Sequence, residues 1–131
     1  MIRRDFIKSF AKLVGMTTLP VTVAAKEPAT RRFLIQQCPL AGFQHHEGET
    51  LWSQIGIGNR LELVREPANP FDANAIRIDW NGRKLGYIPR IQNQATARLL
   101  DEGTRLEARI GRLEKHSNPW NRVEIEVWLV V

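Results

Sequence analysis

Residues 65–78 read REPANPFDANAIRI. Two strand-like pieces flank this stretch, RLELVRE (60–66) before it and NAIRIDW (74–80) running out of it. Between them Pro67, Asn69, Pro70, Phe71, Asp72 and Asn74 crowd into eight positions. A plain hairpin needs only a two-residue Asn-Gly or Asp-Gly turn. The cluster therefore predicts a built loop. One reading is structural: Asp72 and Asn74 make Asx turns, Pro67 and Pro70 stiffen the connection, and Phe71 plugs the end of a barrel. The other is functional: a rigid loop presents Phe71 and Asp72 at a barrel mouth. Both readings can hold at once.

Working outward, the rest of the chain from Arg32 is mostly strand. FLIQQCPLAGF (33–43) mixes apolar and polar residues, and Pro39 and Gly42 predict a bend or bulge there. Leu61, Leu63 and Arg65 alternate with Glu62, Val64 and Glu66. AIRIDWNGRKLGYIP (75–89) reads as a hairpin turning at Asn81-Gly82. Leu106, Ala108 and Ile110 alternate with Glu107 and Arg109. Val123, Ile125, Val127 and Leu129 alternate with Glu124, Glu126 and Trp128. A short helix is predicted in GETLWSQI (48–55). A longer one near 91–101 has Ile91, Ala95, Leu99 and Leu100 on one face and Gly103 closing it. The fold class is mainly β with one or two helices: a small, strongly bent OB-like β-barrel of about five or six strands.

The N-terminus differs. Arg3-Arg4-Asp5-Phe6-Ile7-Lys8 is similar to the twin-arginine export signal, with Ile7 where that pattern has Leu. A moderately apolar stretch (13–25) follows and ends in Val23-Ala24-Ala25, small residues that suit signal-peptidase cleavage. The expected organisation is a signal peptide at 1–25, a linker at 26–31 and one domain at 32–131, exported to the periplasm. If the N-terminus does not work as a signal, the protein stays cytoplasmic. Charge follows the same division. The 131 residues carry a formal net charge of +5. Residues 1–25 hold four basic residues and one acidic, and the remainder fifteen and thirteen, leaving that remainder a net of +2. Only a clustered basic face would then support nucleic-acid binding. Cys38 is the one cysteine, so neither an internal disulfide nor a cysteine-based zinc site is expected, and it reads as a small buried hydrophobe.

The spaced set Asn69-Pro70-Phe71-Asp72-x-Asn74-Ala75-Ile76 and Leu85-Gly86-Tyr87-Ile88-Pro89-Arg90, with Leu40-Ala41-Gly42-Phe43-Gln44-His45-His46 upstream, resembles the HIRAN domain family over residues 32–131. These domains stand at the front of large DNA-repair translocases and alone in bacteria. The resemblance implies a fold similar to an OB barrel and a non-catalytic module that captures the 3′ end of single-stranded DNA. By the same resemblance, Asp72 takes the free 3′-hydroxyl, Phe71 stacks a base, and basic residues hold phosphates. Gln44, His45 and His46 stand where the family has an Arg-Tyr-Tyr-like run, a departure that replaces a cation and two large rings by smaller groups.

Elementary chemistry runs the same way. A carboxylate accepts a hydrogen bond from a sugar hydroxyl and repels the phosphodiester that an internal nucleotide carries there. Phe71 offers a face any base can stack on. Arg65, Arg83, Lys84 and Arg90 supply phosphate contacts if they share a face. Trp120, on a loop beside Arg122, is a further stacking candidate, and Tyr87 reads as a motif residue whose hydroxyl is tied down. No metal, cofactor or catalytic set is expected. The sequence lacks a phosphate-binding Gly-rich loop, and His45-His46 as strand neighbours would face opposite ways. Binding to single-stranded ends should be weak, salt-sensitive and free of sequence preference. The alternative is an exported interaction protein that holds a peptide, glycan or protein partner on the same barrel surface.

Overall fold

A computed structural model describes residues 30–131; the export signal expected at 1–25 lies outside the described residues. Among the described residues six strands form one antiparallel sheet in the order β1-β6-β5-β2-β3-β4. They are β1 (Arg32–Pro39), β2 (Arg60–Arg65), β3 (Ile76–Trp80), β4 (Arg83–Tyr87), β5 (Leu106–Leu113) and β6 (Val123–Val130). The mainly β architecture thus follows the alternation in the sequence. The hairpin between β3 and β4 turns at Asn81-Gly82 with φ of 49° and 76°, the left-handed pair that matches strand twist.

The sheet bends because three strands each carry one residue more than their partner. Ile35 is the extra residue in β1 against β6, Gly111 in β5 against β6, and Leu85 in β4 against β3. Each bulge raises the local twist. At Gly111 a Cβ would stand 2.7 Å from Glu126 Cγ, so the tight bulge admits glycine. The expected break at Pro39 and Gly42 takes a different form: β1 bulges earlier, at Ile35, and ends at Pro39.

The barrel expectation is met only loosely, because among the described residues no strand ladder closes the sheet. β1 and β4 remain its edges, and beyond Pro39 the chain crosses from one to the other. Leu40 N–H donates to Val123 O (3.1 Å), and Ala41 exchanges two hydrogen bonds of 2.9 Å with Tyr87. That single bridge is the only link of its kind between the edges among the described residues. It fits because residue 86 is glycine: a Cβ there would lie 2.4 Å from Ala41 O and 3.1 Å from Leu40 Cγ.

Inside the bend lie Leu40, Phe43, Leu51, Ile76, Ile78, Leu85, Ile88, Ile110 and Ile125, each at most 2% exposed. Burying such side chains contributes about 1.5–3 kcal/mol apiece. Cys38 joins this core as an apolar group, its thiol pushed up to about 12 by burial and by the nearby Glu124. Trp52 stands edge-on to Phe43 at 5.9 Å. Leu129, expected inside, is half-exposed beside the exposed Phe33 of the edge strand, and Val130 is buried instead.

The two expected helices are present as Gly48–Leu51 and Gln94–Asp101, the second closed by Gly103 at φ 82°. Its buried face differs from the sequence reading. Ile91 is 89% exposed, and Asn93, Thr96 and Ala97 point inward. Arg90–Gln92 form a 3-10 turn, so the helical period starts at Gln94 and Ile91 falls out of phase with it. No helix among the described residues is long and apolar enough to cross a membrane.

Gly86→Ala is expected to push the Leu40–Ala41 crossing off β4. The overpacking should cost about 1–3 kcal/mol, visible as a lower urea midpoint with an unchanged slope. An unaltered midpoint would show that the crossing is not held as described.

Candidate nucleic-acid interface

The loop from Glu66 to Ala75 is held at almost every polar group. Asn69 N–H donates to Glu66 O (3.0 Å), and Glu66 N–H donates to Ala75 O (3.0 Å). Asn69 Oδ1 accepts from Phe71 N–H at 2.9 Å, and Asp72 Oδ1 accepts from Asn74 N–H at 2.9 Å. The Asx turns are therefore at Asn69 and Asp72. Asn74, expected to make one, instead donates its backbone to Asp72 and leaves its side chain in solvent. The other Asp72 oxygen accepts from Asn93 Nδ2 at 2.7 Å, tying the loop to the base of the Gln94–Asp101 helix.

Glu66 joins this loop to the sheet. Its Oε1 accepts from Asn69 Nδ2 (3.0 Å) and from the Tyr87 hydroxyl (2.8 Å), and its Oε2 accepts from Arg77 Nη1 (3.0 Å). Burial alone raises the Glu66 pKa. The hydrogen bonds from Asn69, Tyr87 and Arg77 outweigh that and hold it below its ordinary 4.5. Arg65 clamps the other side. Its guanidinium takes Asp101 in a two-point contact (2.9 and 3.1 Å) and donates to Ala75 O (2.8 Å) and Ala73 O (3.1 Å).

The tethered loop forms one wall of a cleft of about 450 Å³. Asn69, Pro70, Phe71 and Asp72 line it from the loop, and Lys84, Tyr87 and Arg90 from β4 and the turn after it. Ala41 and His46 line it from the crossing segment and the turn that follows. Phe71 is 82% exposed, so it does not plug a barrel end: the Asn69 turn directs it outward. Lys84 Nζ stands 4.6 Å from the centre of the Tyr87 ring, and His46 meets that ring edge-on at 5.7 Å. Burial, followed by the charge of Lys84 and the neighbouring His45, lowers the His46 pKa against an opposing pull from Glu66. The imidazole is therefore neutral at pH 7 and presents a small ring in place of a charge.

Seven of the twelve candidate residues thus line one cleft: His46, Asn69, Phe71, Asp72, Lys84, Tyr87 and Arg90. The other five do not. Arg65 is occupied by Asp101 and by loop carbonyls, so it orients the loop. Arg83 pairs with Glu47 at 3.1 Å. Gln44 and His45 are exposed on the Phe43–His45 turn and touch each other at 3.2 Å, and Asn74 faces solvent. Trp120, 45% exposed, sits on a turn that packs against the Phe43–His45 turn and does not line the cleft. Among the described residues neither Lys84 nor Arg90 is in an ion pair, and no group of three metal-ligating side chains forms. Sequence reasoning missed Glu66 and Asn93. Asn93, just ahead of a helical period, carried an N-terminal signal that could have been read. Glu66 carried none, because its three partners are brought together only by folding.

The bent antiparallel sheet thus carries an apolar cleft with an exposed aromatic at its rim and, beside it, two cations that are in no ion pair among the described residues. The chain belongs to the HIRAN domain family, whose model matches residues 34–131. A crystal structure of a protein from Lactobacillus plantarum is similar, with a TM-score of 0.67 and 27% identity over 78% of this chain and 98% of that one. The HIRAN domain of human HLTF shares the fold, with a TM-score of 0.56 and 19% identity over 76% of this chain and 77% of that one. No curated protein matches the sequence.

Protonating Glu66 removes an acceptor from Asn69, Tyr87 and Arg77. Its pKa is depressed on folding, so its stabilisation is complete above the unfolded value near 4.5 and is lost as pH falls through the folded one. Glu66→Gln should therefore melt lower at pH 7, by about 1–3 kcal/mol. The gap to wild type should narrow below about pH 5. A gap that stays constant to acid pH would rule out the charged hub.

Proposed function

We propose that this domain is a non-catalytic binding module for single-stranded nucleic-acid 3′ ends. The observation that carries the reading is Phe71, an exposed aromatic held rigid beside Asp72 in a cleft that also presents the unpaired cations Lys84 and Arg90. A terminal base stacks on Phe71 in this reading, and stacking of this kind contributes about 1–3 kcal/mol per base. Asp72 already accepts two hydrogen bonds, and a carboxylate has room for about four, so a sugar hydroxyl can still donate to it. Both existing bonds fix the oxygens in place before the ligand arrives, which lowers the ordering cost of binding. Lys84 and Arg90 meet the phosphates.

Two cations and one aromatic make a weak, salt-dependent site. Each neutralised phosphate of a single strand adds about 0.7 to the slope of log affinity against log salt. Exported by the twin-arginine route, such a domain would meet strand ends outside the cytoplasm. That part of the reading rests on residues 3–8 and 23–25. A mature N-terminus near Lys26, by mass spectrometry of protein from its own host, is its test.

Phe71→Ala should leave melting unchanged, because the ring packs on little, and should weaken hydroxyl-ended and blocked strands alike by about 5- to 150-fold. Asp72→Asn keeps an oxygen for the Asx turn and removes the charge. It should reduce the preference for a 3′-hydroxyl over a 3′-phosphate, read by fluorescence anisotropy on short strands. A wild-type protein with no affinity for hydroxyl-ended strands would end this reading and favour a partner that is not nucleic acid.

A further inference from the structure

The outer face of the sheet carries a second concentration of charge, separate from the cleft. Glu107 of β5 has a side chain only 3% exposed, and four arginines converge on it. Arg32 Nε and Arg60 Nη2 hydrogen-bond its two oxygens at 2.9 and 3.0 Å. Arg105 and Arg109 stand at 3.8 Å, beyond hydrogen-bond reach. The Arg32 hydrogen bond, against the opposing effect of burial, and the further charges of Arg32, Arg60 and Arg109 hold the Glu107 carboxyl below its ordinary range. It is therefore ionised at neutral pH.

One buried carboxylate needs one countercharge, and two hydrogen-bonded guanidiniums already satisfy both oxygens. Arg105 and Arg109 are surplus to it. Four arginines against Glu107 and the cross-strand Glu126 leave the cluster a net charge of +2, within the roughly 8 Å over which salt screens charge in physiological solution. Glu126 faces Arg109 across the β5–β6 register and makes no ion pair with it among the described residues. The four arginine side chains are 40–68% exposed, so water and a ligand can reach them. Like charges gathered this closely repel, and an anion relieves the repulsion. The guanidinium fork suits a phosphate, and Glu107 holds two of the four forks in fixed orientation.

We infer that Arg32, Arg60, Arg105 and Arg109, organised by Glu107, form a second phosphate site that takes a backbone phosphodiester of a bound single strand. This deepens the nucleic-acid reading, on which the choice of ligand rests. It differs from the cleft in what it recognises: the cleft reads an end, and the arginine site reads backbone wherever it lies.

The test uses the full chain, two strands and one double variant. Arg105→Gln/Arg109→Gln leaves Arg32 and Arg60 on Glu107, so its melting temperature should match wild type. If the pair disturbs folding, Arg105→Gln alone, at a 66% exposed side chain, serves instead. The first strand is 3′-phosphorylated and about twenty nucleotides long, more than a domain of this type covers. The second is hydroxyl-ended and about four nucleotides long. The variant is expected to bind the long blocked strand about tenfold more weakly, with a salt slope shallower by about 0.7 per phosphate released. It should bind the short strand as wild type does. Wild type that ignores the long blocked strand, or a folded variant that binds it with wild-type affinity and slope, overturns the arginine site. Failure of the 3′-end reading looks different: the short hydroxyl-ended strand goes unbound while the long strand still depends on Arg105 and Arg109.

Discussion

The carboxylate of Glu66 is the constraint on which the cleft depends. Its three donors lie 3, 11 and 21 residues further along the chain, on the loop, β3 and β4. One partly buried group therefore fixes the loop against two strands at once. Its neighbour Arg65 holds the far side of the loop through Asp101 and two backbone carbonyls. The two adjacent residues hold separate partners, Glu66 the side chains of Asn69, Arg77 and Tyr87, and Arg65 the Asp101 carboxylate and the carbonyls of Ala73 and Ala75, so they tether the loop without competing. Phe71 can then stand in solvent without its loop wandering.

A second constraint brings the remaining wall. The chain leaving β1 crosses to β4 and bridges Tyr87 through Ala41, and the bare α-carbon of Gly86 gives it room. That crossing delivers Ala41 and His46 to the cleft. The Leu-Gly-Tyr run therefore has three separate duties in three residues. Leu85 fills the core as a bulge, Gly86 lets a backbone pass, and Tyr87 holds Glu66 with its hydroxyl while its ring receives His46 and Lys84.

Charge is deployed locally here, and the modest excess of +2 outside residues 1–25 understates it. Arg77, Arg83, Arg112 and Arg122 each meet carboxylates of their own surroundings. Of the described cations in no ion pair, only Lys84 and Arg90 line the cleft, and a further surplus gathers around Glu107. Paired arginines at the surface contribute little to stability, but unpaired ones near a fixed aromatic or on a fixed frame can meet an anion.

The sequence by itself determined the strands, the Asn81-Gly82 hairpin, the helix ending at Gly103 and the family, because alternation, turn chemistry and a spaced motif are local properties of the chain. It also singled out Phe71 and Asp72 from the density of Pro, Asn and Asp around them. Tertiary structure alone decided which cations are free. Arg65 and Arg90 look alike in sequence, yet Asp101 occupies one and no carboxylate of the described residues pairs with the other. It alone revealed Glu66, Asn93 and the four arginines on Glu107, and it put Ile91 in solvent where helical spacing had placed it inside. The physical reason is the same in each case. Whether a charged or polar group is occupied depends on partners tens of residues away, and the register and bulges of a bent sheet choose those partners, which no local pattern encodes.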